Sequence, residues 1–250
     1  MAREDGHNQV TFAGVVDGRP LYREGDGNSD AQLSFSVRSE IDKDDGRAAG
    51  VKSRQEVQLW GQAAEDWHAL AAGTAVEVTG RLKTWKDTRA VKRLAIAVEA
   101  AGDIREAQGG DANEVDIAGE VCDRRCYPPR PGGKLAFFAA TLHVMTQVDG
   151  RDLNASIPVR VFGRPAEDIA DSAGEGAVLR VRRGVLKHER RAGRDDAEPS
   201  FQAVVVVDDH LGAVEVIRAV PPDDRSRGGR RDDCGGRRSS SGGGGQRAGR

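Results

Sequence analysis

The chain has 250 residues, 38% of them hydrophobic and 31% charged, with a formal net charge of −2. That composition supports modest apolar cores and excludes a wholly disordered chain, and no run approaches the ~20 apolar residues of a membrane span. Met1 to Gly6 is polar, so no secretory signal is expected. Cys122, Cys126 and Cys234 are too few, and odd in number, for a disulfide framework; they fit a reducing, cytoplasmic setting. The Cys122/Cys126 pair has no second Cys/His pair at ligand spacing, so neither a metal nor another cofactor is expected.

In chain order, Val10, Phe12 and Gly14 alternate with polar or small residues and predict a first strand. Leu33, Phe35 and Val37 alternate with Ser34, Ser36 and Arg38 in a second, and Val57 and Leu59 flank Gln58 in a third. Ala64, Trp67, Leu70 and Ala71 share one helical face, which predicts a helix over Ala63–Ala72 stopped by Gly73. Trp67 on that face is expected to pack only. Val76 and Val78 open a fourth strand, and Leu94, Ile96 and Val98 a fifth. The stretch from Gly102 to Ala112 holds Gly109-Gly110-Asp111 and no apolar pattern, as a boundary would. The same order then returns. Strands are predicted near Val115–Val121, Leu135–Val144, Ile157–Phe162, Val178–Leu186 and Phe201–Val207, with a helix near Ala166–Ser172.

The return is a true duplication. Asn8-Gln-Val10-Thr-Phe12-Ala-Gly14-Val-Val16 recurs as Asn113-Glu-Val115-Asp-Ile117-Ala-Gly119-Glu-Val121, and Tyr22 matches Tyr127, all at an offset of 105. Leu33 and Phe35 match Leu135 and Phe137 at 102, and Val57–Gly61 matches Val159–Gly163 at the same offset. Ala64-Glu65-Asp66 matches Ala166-Glu167-Asp168, and Gly73 matches Gly176. Two copies of about 100 residues are two domains, not a solenoid. The expected organisation is a first domain over 1–104, a linker over 105–112, a second domain over 113–218 and a tail over 219–250. The tail is rich in Arg, Gly and Ser, with Arg227-Gly228-Gly229, and reads as disordered. Residues 221–250 carry eight Arg and four Asp, so the preceding 220 residues hold a net −6. Any polyanion must therefore be met by local basic stripes or by the tail.

Three strands, a helix and two more strands make up the pattern of an OB-fold, a five-stranded Greek-key barrel, here in tandem. A mainly β chain of two such barrels is expected. A generic β-sandwich would not place the helix between the third and fourth strands of both copies.

The sequence resembles the bacterial-type single-stranded DNA-binding protein family. The resemblance rests on the opening Asn-x-Val-x-apolar-x-Gly-x-apolar of both units and on Phe35-Ser36-Val37. It also rests on Val57–Trp60-Gly61 with Ala64-Glu65, on Val159–Phe162-Gly163 with Ala166-Glu167, and on Val76-Glu-Val78-Thr-Gly80-Arg-Leu82. It covers residues 8–104 and 113–217. It implies single-stranded DNA as partner, work in replication, recombination and repair, a nucleoid-associated cytoplasmic site, and a homodimer supplying four barrels. The family's early third-strand aromatic is replaced by Arg54 and Ser156, and its acidic Pro-Phe tip by Gln246-Arg-Ala-Gly-Arg250. The resemblance therefore does not carry over recruitment of proteins through the tail.

A single-strand binder needs aromatic faces for bases and cations for phosphates. Trp60 and Phe162 end the third strand of each unit, one step out of phase with the core-directed residues, and are the first stacking candidates. Trp85 follows Arg81 and Lys83 at period two, so the three share one strand face. Tyr22 and Tyr127 are further rings that either stack or plug a barrel end. The phosphate candidates are Arg38, Arg54, Arg81, Lys83 and Lys86 in unit one. In unit two they are Arg160, and Arg180, Arg182 and Lys187 of the dense cluster Arg180–Arg194. By this count unit one is built for stacking and unit two, poorer in aromatics, for backbone contact. Asp44-Asp45, Asp195-Asp196 and Asp208-Asp209 read as solvated doublets. No G-x-S-x-G and no P-loop occurs, so an enzyme is not expected. The competing possibilities are a protein-interaction module and an RNA binder.

Overall fold

A computed structural model describes residues 7–26, 29–41, 51–86, 92–98, 101–129, 135–148, 151–191 and 200–222. The tail from 223 onward lies outside the described residues, as do Asp44-Asp45 and Asp195-Asp196. Unit one comprises β1 (Asn8–Arg23), β2 (Gln32–Ile41), β3 (Val51–Trp60), α1 (Gln62–Asp66), β4 (Ala75–Lys86), β5 (Lys92–Val98) and β6 (Ile104–Glu106). Unit two comprises β7 (Ala112–Tyr127), β8 (Phe137–Val148), β9 (Arg151–Phe162), α2 (Arg164–Ile169), β10 (Val178–Arg191), β11 (Ser200–Val207) and β12 (Ala213–Arg218).

Each unit closes into a barrel. In unit one β1 pairs with both β2 and β4, β2 with β3, and β4 with β5, all antiparallel. The ring is closed by a parallel pairing of β3 with β5. Unit two repeats this ring with β7 to β11, again with one parallel pair, β9 with β11. The period-two pattern explains the barrel. Val10, Phe12, Leu33, Val37, Val57, Leu59, Val76, Val78, Ile96 and Val98 all sit inside at 0% exposure, and the residues between them face outward. The short strands β6 and β12 were not expected from the sequence; they add to β4 and β10 as edges of one continuous twelve-stranded sheet.

The helices are shorter than expected. α1 ends at Asp66, and Trp67 and Leu70 continue as turns that pack on the core. Gly61 and Gly163 start the two helices at φ of +57° and +68°, the left-handed region that favours glycine. Gly14 and Gly119 answer a different need: a Cβ on Gly14 would overlap the Arg38 carbonyl oxygen, and one on Gly119 would lie 2.7 Å from that of His143. The Asn that opens each repeat is structural as well. Asn8 donates from Nδ2 to the Leu82 carbonyl (2.9 Å) and accepts from its N–H at Oδ1 (2.9 Å). Asn113 does the same with Leu186, at 2.9 and 2.7 Å. Each amide side chain thus extends the strand pairing where the backbone ladder stops.

One sequence alignment is corrected by the registers. Val16 pairs with Val37 and Val121 with Leu142, so β2 matches β8 at an offset of 105, not 102. Leu33 and Phe35 correspond to Phe138 and Ala140. Leu135 is 62% exposed and Phe137 half-buried, while Phe138, Leu142 and Val144 form the core.

The two barrels join through β1 and β7, antiparallel, with Val10 opposite Val115. These are equivalent residues of the two repeats. Asn8↔Ile117 and Phe12↔Asn113 are likewise related pairs, so a pseudo-two-fold axis passes through the junction. β4 also touches β9, and β3 touches β10. At those contacts the Ser156 N–H donates to Thr84 Oγ1 (3.1 Å). The counterparts Arg54 and His188 face one another across the axis; packing around the ring, then the charge of Arg54, hold the His188 imidazole below its ordinary pKa.

Candidate nucleic-acid interface

The outer face of β3, β5 and β4 carries Trp60, Arg81, Lys83 and Trp85. Core-directed Leu59 and Leu82 are buried, so their neighbours Trp60, Arg81 and Lys83 point the other way. Lys83 Nζ lies 4.4 Å from the centroid of the Trp60 ring. Such a cation–π contact contributes ~0.5–1 kcal/mol at an exposed site and holds the ammonium over the indole. Trp60, Arg81 and Lys83 line a groove of ≈ 520 Å³ with Asn8, Gly61 and Gln62. Its opposite wall comes from unit two: Thr146, Leu153, Asn154 and Ala155 of the β8–β9 hairpin. That second wall has no sequence signal, because it depends on how the barrels pair. Trp85 is half-buried farther along β4, opposite Arg93 of β5. The Lys86 side chain lies outside the described residues.

Unit two is arranged differently. Tyr127, Phe137 and Phe162 form a ladder of stacked rings. Centroids are 5.8 Å apart for the first pair and 4.9 Å for the second, with interplanar angles of 15° and 29°. Tyr127, at 40% exposure, is its outer member. Phe162 is therefore no lone outward ring: it stacks on Phe137 and also packs on a separate apolar cluster of Val185, Val204, Val206 and Leu211. Unit two is not poor in surface aromatics; the sequence placed Phe137 in the core and so missed the ladder. In unit one, Tyr22 is 41% exposed and sits 5.8 Å from the His68 ring.

The cations differ in freedom. Lys83 stands over Trp60, and Arg38 is exposed on β2. Arg54 pairs with Asp17 (3.0 Å), Arg160 with Glu189 (3.3 Å) and Arg182 with Glu215 (3.1 Å). Arg160 is the most enclosed of these, with its side chain 18% exposed. Exposed ion pairs contribute ~0–1 kcal/mol, so Arg54 and Arg182 can exchange a carboxylate for a phosphate at little cost. Arg180 is half-buried with no hydrogen-bond partner for Nε among the described residues, and Lys187 is half-buried. The doublet Asp208-Asp209 is not simply solvated. Asp208 Oδ1 accepts from the N–H groups of His210 and Leu211 (both 2.9 Å), and Asp209 Oδ1 accepts from the Arg164 N–H (3.0 Å) at the start of α2. Cys122 is a thiol whose pKa is raised by burial and then by Glu120, which disfavours a reactive thiolate. No helix among the described residues is long and apolar enough to cross a membrane.

Crystal structures of the single-stranded DNA-binding protein from Thermus aquaticus superpose on this arrangement. The wild-type protein matches with a TM-score of 0.64 and 24% identity over 89% of this chain and 99% of that one. A deletion variant matches with a TM-score of 0.64 and 23% identity over 88% and 99%. The chain has that protein's fold. A match over 88–89% of this chain is more than either barrel alone supplies. No protein-family model matches the sequence. No curated protein matches it either.

Proposed function

We propose that this chain binds single-stranded DNA and coats and protects it during replication, recombination and repair. The observation that carries this is the groove beside Trp60. When the Lys83 ammonium leaves the Trp60 ring for a phosphate, giving up only ~0.5–1 kcal/mol, the indole offers a base a flat face, and Arg81 on the same wall adds a second cation. Each stacked base contributes ~1–3 kcal/mol whatever its identity, which suits a binder without sequence preference. The fold shared with the Thermus aquaticus protein supports the same function. The Tyr127–Phe137–Phe162 ladder supplies a second aromatic surface on unit two. Arg38, Arg54, Arg182 and Lys187 supply further phosphate contacts. The expected working form is a homodimer of four barrels in the cytoplasm, which sedimentation of the full chain tests by mass.

The deciding experiment is a fluorescence-anisotropy titration with oligo-dT, oligo-U and duplex DNA at two salt concentrations. Tight binding of oligo-dT that weakens with salt, with duplex bound far less, is expected. Equal preference for oligo-U identifies an RNA binder. Absence of salt-sensitive binding to any of the three overturns the proposal in favour of a protein-interaction module.

A further inference from the structure

The registers give the strand residues of the unit-one groove counterparts in unit two, and some of these pairs differ in chemistry. Arg81 pairs with Ala97, and Val185 with Val206; Lys83 pairs with Ala95, and Lys187 with Val204. The Asn8–Leu82 and Asn113–Leu186 clamps fix the same correspondence. Going from unit one to unit two, Arg81 becomes Val185, Ala97 becomes Val206, Ala95 becomes Val204 and Trp60 becomes Phe162. Lys83 keeps a lysine, Lys187, but the part of the face that carries Arg81 and two alanines in one barrel carries three valines in the other.

That apolar face is covered. Leu211, in the turn between β11 and β12, is 1% exposed and packs with Val185, Val204, Val206 and Phe162 in a cluster separate from the barrel core. Hydrogen bonds hold the turn. Asp208 Oδ1 accepts from His210 and Leu211, and the backbone N–H of Asp208 donates to the Leu211 carbonyl at 3.1 Å. Asp209 accepts from Arg164, and a Cβ on Gly163 would overlap its carboxylate. Gly163 and Arg164 are the counterparts of Gly61 and Gln62, which line the open groove. The matching connection in unit one, Glu99-Ala-Ala-Gly-Asp103, carries no leucine.

We infer that the Asp208–Gly212 turn is a built-in plug that fills the second groove, so that a single strand enters a groove in unit one only. It crosses unit two over the ring ladder, with Tyr127 outermost. The inference rests on single-stranded DNA as the ligand. The two barrels then grip unequal lengths of strand, and Leu211 sets that inequality.

The test uses the full chain with dT oligomers carrying 5-iododeoxyuridine, which cross-links to aromatic side chains on irradiation, and mass mapping of the products. The wild type is expected to cross-link at Trp60 and at Tyr127, with Phe162 silent. In Leu211→Ala, Phe162 is expected to cross-link, and affinity for dT is expected to rise roughly fivefold or more, one stacked base's worth. A milder Leu211→Val, with a smaller gain, serves if the alanine variant does not fold. Strong cross-linking of Phe162 in the wild type overturns the plug while leaving DNA binding intact. So does a folded Leu211 variant whose map is unchanged. Loss of cross-linking at Trp60 as well, in the wild type, defeats the DNA-binding proposal itself.

Discussion

Replacing Asn8 by alanine removes a side chain that stands in for backbone. Its amide satisfies both the N–H and the carbonyl of Leu82, each at 2.9 Å, on the strand that carries Arg81 and Lys83. Without it, two buried backbone groups lose their partners, at a cost of ~1–3 kcal/mol each. Asn8 also lines the groove, so water can reach the vacated space and the cost falls near the low end, about 2 kcal/mol in total. Asn113 makes the same pair of bonds to Leu186 but is 2% exposed, against 8% for Asn8. Asn113→Ala should therefore cost more, about 3–4 kcal/mol. With a urea dependence of ~2 kcal/mol/M, Asn8→Ala lowers the unfolding midpoint by about 1 M and Asn113→Ala by nearly twice that. Urea titrations of the two variants followed by circular dichroism check both values. A negligible shift for Asn8→Ala, or a larger loss for Asn8 than for Asn113, would refute the reasoning.

Trp60→Ala should weaken oligo-dT binding by ~1–3 kcal/mol, a loss read by anisotropy and partly restored by Trp60→Phe. Lys83→Ala should instead reduce the slope of log affinity against log salt by about 1. Phe137→Ala removes the middle ring of the ladder. It should destabilise unit two by ~1–3 kcal/mol through two lost ring contacts, measured by thermal melting, with little effect on the Trp60 groove. The depressed pKa of His188 means that the folded chain resists taking up a proton that the unfolded chain accepts near pH 6.5. Stability linked to the neutral ring is therefore present above that pH and lost as pH falls through the lower folded value. Melting temperatures of wild type and His188→Gln between pH 7.5 and 5 should diverge on the acid side, the wild type losing more. Parallel curves would refute the assignment.

Much of the fold was legible because barrels are built on alternation. Val10, Phe12, Val57, Leu59, Val76 and Val78 announce their strands by period, and each lies in the core. Asn8, Gly14 and Gly61, with their counterparts Asn113, Gly119 and Gly163, were visible as repeated letters, though the hydrogen bonds and close approaches behind them were not. Trp60, Arg81 and Lys83 were identified as surface residues by phase alone, and the structure brings them to one groove. Arg160 lies on a predicted strand among the phosphate candidates, yet it is enclosed beside Glu189. Phase says which side a residue faces, not what else packs there.

The sequence by itself determined that the chain is duplicated, that each copy is a small β-barrel with one helix after its third strand, and that the tail differs from both. The tertiary structure decided how the barrels meet, which wall closes the groove, and which rings stack. The physical reason is parity. Side chains alternate at every step of a strand, so an offset of 102 in place of 105 turns β8 over and sends Phe137 inward. A short gap in a polar loop leaves no mark on the apolar pattern, and only the hydrogen-bond register resolves it. The plug has the same origin: Leu211 reads as an ordinary apolar residue after a turn until β10 and β11 show the face it covers.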